Sequence, residues 1–136
     1  MSYDLAVLHT DDPLTDKEAA EIYLHLAEGW RDEQGWSSAI EAFYHELTSR
    51  WPELDAVPRE KIDDTEFCPW SVALEHFHQA VVMNCVYSRA AEVHKYVAEL
   101  ALKHGLALYD PQSDKVVLPE SLRPSKGGFL NKLFKS

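Results

Sequence analysis

The chain has 136 residues, of which 46% are hydrophobic and 26% charged, the composition of one soluble globular domain that needs no metal or disulfide to fold. Its formal net charge of −10 is uneven: residues 1–70 contain 17 acidic and 5 basic side chains, whereas residues 71–136 contain 6 acidic and 8 basic ones. The acidic half would repel a phosphate backbone, so we expect no nucleic acid partner and favour a basic protein partner. The alternative is that these acidic side chains serve only solubility.

The first predicted elements are a strand and a helix. Residues 3–9 place apolar side chains on both faces of an extended chain, which predicts a strand inside a sheet. Thr15 and Glu18 have the spacing of a capping box, so a first helix should begin there, with Leu14 just before the cap. The apolar side of that helix should face the core until Gly35 interrupts the pattern.

A second helix and a long loop follow. Ser37 or Ser38 should begin this helix, and Ser38 has the capping-box spacing to Glu41. Pro52 should end it. Two amphipathic helices joined by a short loop are expected to form an antiparallel pair on the sheet. Residues 53–70 are acidic, contain prolines and have no period, which predicts a long loop of the kind that is often functional or mobile.

The second half of the chain predicts a hairpin, a helix and a further strand. Residues 81–87 are apolar except for Asn84, as in a central strand, and residues 71–76 precede them closely enough to form an antiparallel hairpin. Ser88 is placed to cap the next helix, and Gly105 to close it in a left-handed conformation. Residues 106–109 should then return as a strand in the same direction as residues 81–87.

This order of elements predicts an α+β fold: a ferredoxin-like split βαβ sheet of four strands, with a doubled first helix and a third, crossover helix. Residues 115–119 could add a fifth strand at the edge. We expect a single domain over residues 1–119 and a basic C-terminal tail over residues 120–136, with four positive and no negative side chains from Arg123 on. The tail could be disordered, lie weakly on an acidic membrane surface, dock on a neighbouring subunit or fold back on the acidic helices.

Six short blocks of sequence have a distinctive residue content. They read Tyr-Asp-Leu-Ala-Val at 3–7, Trp-Pro-Glu-Leu-Asp at 51–55, Cys-Pro-Trp-Ser at 68–71, Tyr-Ser-Arg-Ala at 87–90, His-Gly-Leu at 104–106 and Tyr-Asp-Pro-Gln at 109–112. With these blocks the chain resembles, over roughly residues 3–119, a widespread family of small uncharacterised bacterial proteins. The resemblance implies an α+β fold and a bacterial cytoplasm, and by analogy with other small acidic proteins an immunity partner of a toxin. It implies no activity.

A few polar residues near the predicted hairpin are candidates for chemistry. His76 and His78 have the spacing of a metal-binding pair, but Glu75 should point to the other face and no third ligand is evident, so we predict no metal and free titration near neutral pH. Glu75, His76, Asn84 and Tyr87 could together supply a general acid, a general base and a polar stabiliser. Because no nucleophile with an adjacent base and no phosphate-binding or hydrolase motif is present, we predict no catalytic residue and no cofactor.

Two further sets of residues are candidates for binding. Ser88 and Arg89 could form a weak anion site at a helix N-terminus, the alternative being an N-cap followed by an exposed arginine. Tryptophans in or beside loops, surrounded by carboxylates, could form a face for a protein partner, the alternative being that the rings seal the core. The predicted partner-binding residues are Trp30, Asp32, Glu33, Trp36, Asp63, Asp64, Glu66 and Trp70.

These features favour a non-enzymatic cytoplasmic binding protein, most concretely a bacterial immunity or antitoxin-like protein that neutralises a basic toxin by covering it. No signal peptide or membrane span is evident, so we expect no stable membrane association. The alternative is a small enzyme or ligand-binding domain with a cleft near His76, Asn84 and Tyr87, next to the loop at residues 53–70. A homodimer or larger homo-oligomer is a third possibility.

Overall fold

The computed structural model describes residues 2–29 and 35–123. Its central element is an antiparallel sheet. Within those ranges the fold is α+β, with five strands and three α-helices. The sheet order is β2-β3-β1-β4-β5, so β1 lies in the middle between β3 and β4 and is antiparallel to both. The strands are β1 (Ser2–Leu8), β2 (Glu75–Phe77), β3 (Ala80–Val86), β4 (Ala107–Asp110) and β5 (Lys115–Val117).

The two long strands, β1 and β3, are paired along their whole length, from Ser2 opposite Val86 to Leu8 opposite Ala80. Side chains alternate between the faces of a strand, and here both faces are buried over most of this pair. This confirms the prediction that these two strands lie inside the sheet, although each begins and ends one residue earlier than predicted. The predicted edge strand is also present as β5, whereas β2 is shorter than predicted and begins only at Glu75.

The three helices are α1 (Asp16–Ala27), α2 (Ser38–Arg50) and α3 (Ala90–Lys103). The capping box at Thr15 and Glu18 is confirmed, because each residue's side chain accepts a hydrogen bond from the other's backbone N–H. At α2 the cap is Ser37, whose Oγ accepts from the N–H of Ile40 at 3.3 Å, so the predicted Ser38 box is wrong. Gly105 closes α3 at φ +68° as predicted.

The helices cover both faces of the sheet. On one face α2 and α3 pack on Leu5, Val7 and Met83. On the other face α1 packs on a cluster with smaller side chains, including Ala6, Leu8, Ala80, Val82 and Ala107. The prediction that α1 and α2 form an antiparallel pair is therefore wrong. The reason is that β1 and β3 are apolar on both faces, so each face needs its own helical cover.

The described chain continues past the predicted domain boundary at residue 119. A single 3₁₀ turn spans Glu120–Leu122, and the Nε of Arg123 donates a 2.8 Å hydrogen bond to the carbonyl of Leu118. The rest of the predicted tail lies outside the described residues. None of the helices in the described ranges has the length and the apolar character that crossing a membrane requires.

Candidate functional site

His76, on β2, lies in a cluster of side chains that packs against α2. The rings of Trp36 and Tyr44 stand edge-on to its imidazole, with centroids 4.4 Å and 3.9 Å away. Its Nε2 is buried without a hydrogen-bond partner, 3.5 Å from Oε2 of Glu53. Burial lowers the pKa of His76, against the opposing effect of the Glu53 carboxylate. His76 is therefore not the freely titrating histidine that the sequence predicts.

Glu53 holds this cluster together. One carboxylate oxygen accepts a 2.9 Å hydrogen bond from the Tyr44 hydroxyl, and the other accepts a 3.0 Å bond from the N–H of Leu74. Burial, together with the bond to Glu53, raises the pKa of Tyr44. The cluster thus joins α2, the loop after it and the segment before β2. Because the Tyr44 hydroxyl and the Leu74 N–H both bond to the Glu53 carboxylate, the cluster serves as a structural clamp.

The other residues of the predicted catalytic set lie elsewhere. His76 pairs with Val81 on β3, and Asn84 is three residues further along that strand, so His76 and Asn84 point to opposite faces of the sheet. Asn84 donates a 2.5 Å hydrogen bond to Asp4. Tyr87 lies beyond the end of β3, is 58% exposed and stands edge-on to Tyr3. The structure thus does not assemble the predicted cleft.

The predicted anion site is occupied by the protein's own groups. Arg89 is only 8% exposed, and its guanidinium donates to the carbonyl of Thr65 and to the carboxylate of Glu92. The hydrogen bond from Arg89 holds the pKa of the Glu92 carboxyl below its usual value. Ser88 does not cap α3, because it lies in a 3₁₀ turn at Tyr87–Arg89 that precedes the helix. The N-cap of α3 is Arg89, whose side chain makes no capping hydrogen bond. The prediction of an exposed arginine after an N-cap serine is wrong on both counts.

The predicted partner-binding residues do not form one surface. Trp30, Asp32 and Glu33 lie outside the described residues. Trp70 is 2% exposed, because its ring packs edge-on to Trp51 and its Nε1 donates to the Trp51 carbonyl. Its ring therefore seals the core, which is the alternative that the sequence left open.

The remaining members are exposed but lie far apart. Trp36, 39% exposed, stands beside His76 near the start of β3. Asp63, Asp64 and Glu66 are exposed on the loop beside Thr65, which Arg89 holds just beyond the other end of β3. The length of a seven-residue strand, roughly 20 Å, separates the two groups. Partner binding by either group stays a prediction.

A groove that the sequence does not predict opens between α1 and one end of the sheet. Its volume is about 730 Å³. The loop from His9 to Leu14 forms one side, where the hydroxyl of Thr10 donates to the carbonyl of Asp12 and accepts from its N–H. Helix α1 forms the opposite side. The groove is thus built by segments that are already fixed by hydrogen bonds and capping.

The rim of this groove is acidic and its floor is apolar. Four exposed carboxylates line the rim, and none of the described lining residues is lysine or arginine. The floor belongs to the buried cluster under α1. We call this feature the acidic groove; its rim carboxylates are Asp11, Asp12, Glu18 and Glu21, and its buried floor comprises Leu8, Leu26, Phe77 and Ala80.

The groove is suited to bind a ligand that carries positively charged groups next to apolar groups. Across the described ranges, no three His, Cys, Asp or Glu side chains are grouped so that they could hold a metal ion. His9 and His25 also line the groove, and the ring of His9 is hydrogen-bonded to the hydroxyl of Ser37 at 2.8 Å. The only sequence signal for this site is the pair Asp11-Asp12 followed by acidic residues one turn apart on α1.

Comparison with protein-family models, with curated proteins and with solved structures found no match. The resemblance of the six sequence blocks to a bacterial family therefore stays a prediction.

Proposed function

We propose that this protein is a non-enzymatic binding protein whose partner is a basic protein, held at the acidic groove. The observation that carries this proposal is the combination of a buried apolar floor with four carboxylates on the rim. Apolar side chains that enter the groove leave water, which favours binding, and the carboxylates attract and orient cations. A segment that carries both apolar and basic side chains on one side satisfies both parts of the site.

The most specific form of this proposal is an immunity or antitoxin-like protein that covers the basic surface of a toxin. It is supported by the excess of acidic side chains in residues 1–70, which include the loop and the helix that line the groove. In this form Trp36 and the exposed carboxylates near Thr65 would contact the partner outside the groove. A complex with a large basic protein would bury more surface than the groove alone.

The non-enzymatic part of the proposal is supported by how the candidate catalytic groups are used. Glu53 and Tyr44 bond to each other inside the clamp, and His76 is shielded by aromatic rings. Asn84 bonds to Asp4 on the other face of the sheet. Each of these groups supports the fold, and none lines the acidic groove.

The experiment uses a defined basic probe, a fluorescently labelled amphipathic peptide of lysine and leucine, titrated into the full chain. We expect saturable binding that weakens about tenfold between low and moderate salt, because the contact is electrostatic and exposed. The test variant is Asp11→Asn with Asp12→Asn, which removes two rim charges without changing side-chain shape. We expect at least a fivefold loss of affinity, on the order of 1 kcal/mol.

The matched control is Asp63→Asn with Asp64→Asn, which removes two exposed carboxylates that do not line the groove. Both double variants change the net charge equally, so they separate a local site from the total charge. The proposal predicts that the control binds the peptide like the unchanged protein. If the two variants lose affinity equally, or if the peptide binds neither the unchanged chain nor a variant with the tail lysines replaced, the groove is not a binding site.

We further infer that the sheet is a variant of the ferredoxin-like split βαβ arrangement. It is supported by the position of β1 between β3 and β4, with β2 outside β3. The departure from that arrangement is α1, which covers the second face. This departure matters for function, because α1 forms one wall of the acidic groove.

A further inference from the structure

The sequence beyond the last described residue has the chemistry that the acidic groove requires. Residues 124–136 contain three lysines and no acidic residue. They also contain four large apolar side chains, at positions whose spacing would bring them to one side of a short helix. These side chains are Lys126, Lys132 and Lys135, and Phe129, Leu130, Leu133 and Phe134.

The chain leaves the fold at the end of the sheet where the groove opens. Strand β5 is antiparallel to β4, and β4 is antiparallel to β1, so β5 and β1 run in the same direction. Val117 pairs with Leu108, which pairs with Val7, so the end of β5 is level with the end of β1. Leu8, the next residue of β1, lies in the floor of the groove.

The last described residues are also on the correct face of the sheet. Leu118 packs on the same apolar cluster as Leu14, which lines the groove. Arg123 is held beside Leu118 by its hydrogen bond to that carbonyl. The segment after Arg123 therefore starts from the face and from the end of the sheet that carry the groove.

The segment is long enough to reach the groove. Two strand spacings, about 10 Å, separate β5 from β1. The 13 residues from 124 to 136 span up to about 40 Å when extended, at roughly 3.3 Å per residue. A tether of this length gives a local concentration in the millimolar range, so even weak contacts would fill the groove.

We propose that the basic segment 124–136 of this chain occupies its own acidic groove. This inference rests on the proposed function of the groove and adds a regulatory step to it. Apolar side chains of the segment cover the floor, and its lysines face the four rim carboxylates. A basic partner must displace the segment before it binds. The apparent affinity for that partner is therefore its affinity for the empty groove multiplied by the fraction of molecules whose groove is empty.

The first test places a nitroxide spin label on the full chain at Asn131→Cys. Cys68 and Cys85 are buried, and burial raises the pKa of the Cys85 thiol to about 11, so at neutral pH the label reacts with the new cysteine. We expect the label to broaden the backbone amide signals of Asp11, Asp12 and Ile22. Asp11→Asn with Asp12→Asn should reduce this broadening, whereas the control Asp63→Asn with Asp64→Asn should retain it.

A mixed sample identifies which molecule supplies the segment. Protein that carries the nitroxide but no ¹⁵N is mixed with protein that carries ¹⁵N but no nitroxide. If the segment binds its own groove, the ¹⁵N signals stay sharp. If they broaden, the occupant is a second copy of the chain, and the intramolecular proposal is overturned. Equal, weak broadening over the whole surface would also overturn it.

The second test measures the regulatory consequence with the lysine and leucine peptide. Lys126→Gln with Lys132→Gln and Lys135→Gln should raise the affinity of the full chain for the peptide at least threefold. If this triple variant binds the peptide no better than the unchanged chain, the groove is open and the inference fails while the proposed function stands. If neither protein binds the peptide, the proposed function itself fails.

Discussion

Tyr44 on α2 donates a 2.9 Å hydrogen bond to Glu53 in the loop that follows the helix. The same carboxylate accepts from the N–H of Leu74, just before β2. Residues far apart in sequence thus share one acceptor, and the loop that appears structureless in the sequence is fixed at its start. The loop is further ordered by 3₁₀ turns at Leu54–Ala56 and Arg59–Lys61.

We predict that Glu53→Ala lowers the free energy of unfolding by about 1–3 kcal/mol, because it leaves the N–H of Leu74 and the hydroxyl of Tyr44 without their acceptor. Urea denaturation followed by fluorescence measures this change. Asp55→Ala is the control, since Asp55 is exposed in the same loop and should change stability by less than about 0.5 kcal/mol. Equal effects of the two substitutions would show that the clamp does not stabilise the fold.

The low pKa of His76 predicts a pH dependence of stability. In the unfolded chain His76 binds a proton below about pH 6.5, whereas burial keeps it neutral in the folded protein to a lower pH. Between those values the unfolded state holds more protons, so stability should fall as the pH is lowered through 6.5 and should be fully present above it. The groups that face His76 are Glu53, which opposes the shift, and the rings of Trp36 and Tyr44.

The measurement is the free energy of unfolding between pH 5 and pH 7.5 in the unchanged protein and in His76→Gln. We expect the slope of the free energy of unfolding against pH to be smaller in His76→Gln. The decrease should be no more than about 1.4 kcal/mol per pH unit, the value for one proton. His45→Gln is the control, because the His45 side chain is 66% exposed. If His76→Gln and His45→Gln change the slope of the free energy of unfolding against pH by the same amount, the pH dependence does not come from His76.

Local patterns in the sequence predict most of the secondary structure, because they depend on neighbouring residues alone. The capping box at Thr15 and Glu18 and the left-handed Gly105 are examples, and both are confirmed. The position of α1 depends on more than its own sequence. An amphipathic helix shows which of its sides is buried, but it carries no information about which face of the sheet it covers. The apolar residues on both faces of β1 were the available signal for α1 on the second face.

The sites were harder to predict, because they join distant segments. The acidic groove combines the loop at Asp11 and Asp12, helix α1 and the β2–β3 turn. No spacing within the sequence reveals this combination. The predicted cleft of His76 and Asn84 fails for a related reason: alternation along the strands sends the two side chains to opposite faces. The place of Trp70 beside a loop makes it a candidate for partner binding, but its ring packs on Trp51 in the core.

We predict that Arg89→Lys lowers the free energy of unfolding by about 1–3 kcal/mol. The planar guanidinium bonds to Thr65 and Glu92 at once, and a single ammonium group does not reproduce that fork. Arg50→Lys is the matched control, because Arg50 also pairs with Glu92, at 3.3 Å, but is about half exposed and should contribute little. If the two variants lose the same stability in urea, Arg89 is not a structural anchor.

Because α1 packs on the second face of the sheet, we predict that Ala19→Leu destabilises the protein. Ala19 is fully buried in the cluster that contains Ala6, Ala80 and Ala107, where small side chains let the helix approach the sheet. Additional methyl groups at such a contact cost about 1–3 kcal/mol. Ala42→Leu is the control, because Ala42 is exposed on α2 and a larger side chain there meets solvent. Thermal denaturation of both variants measures the difference. Equal melting temperatures would contradict the packing of α1 on the sheet, and with it one wall of the acidic groove.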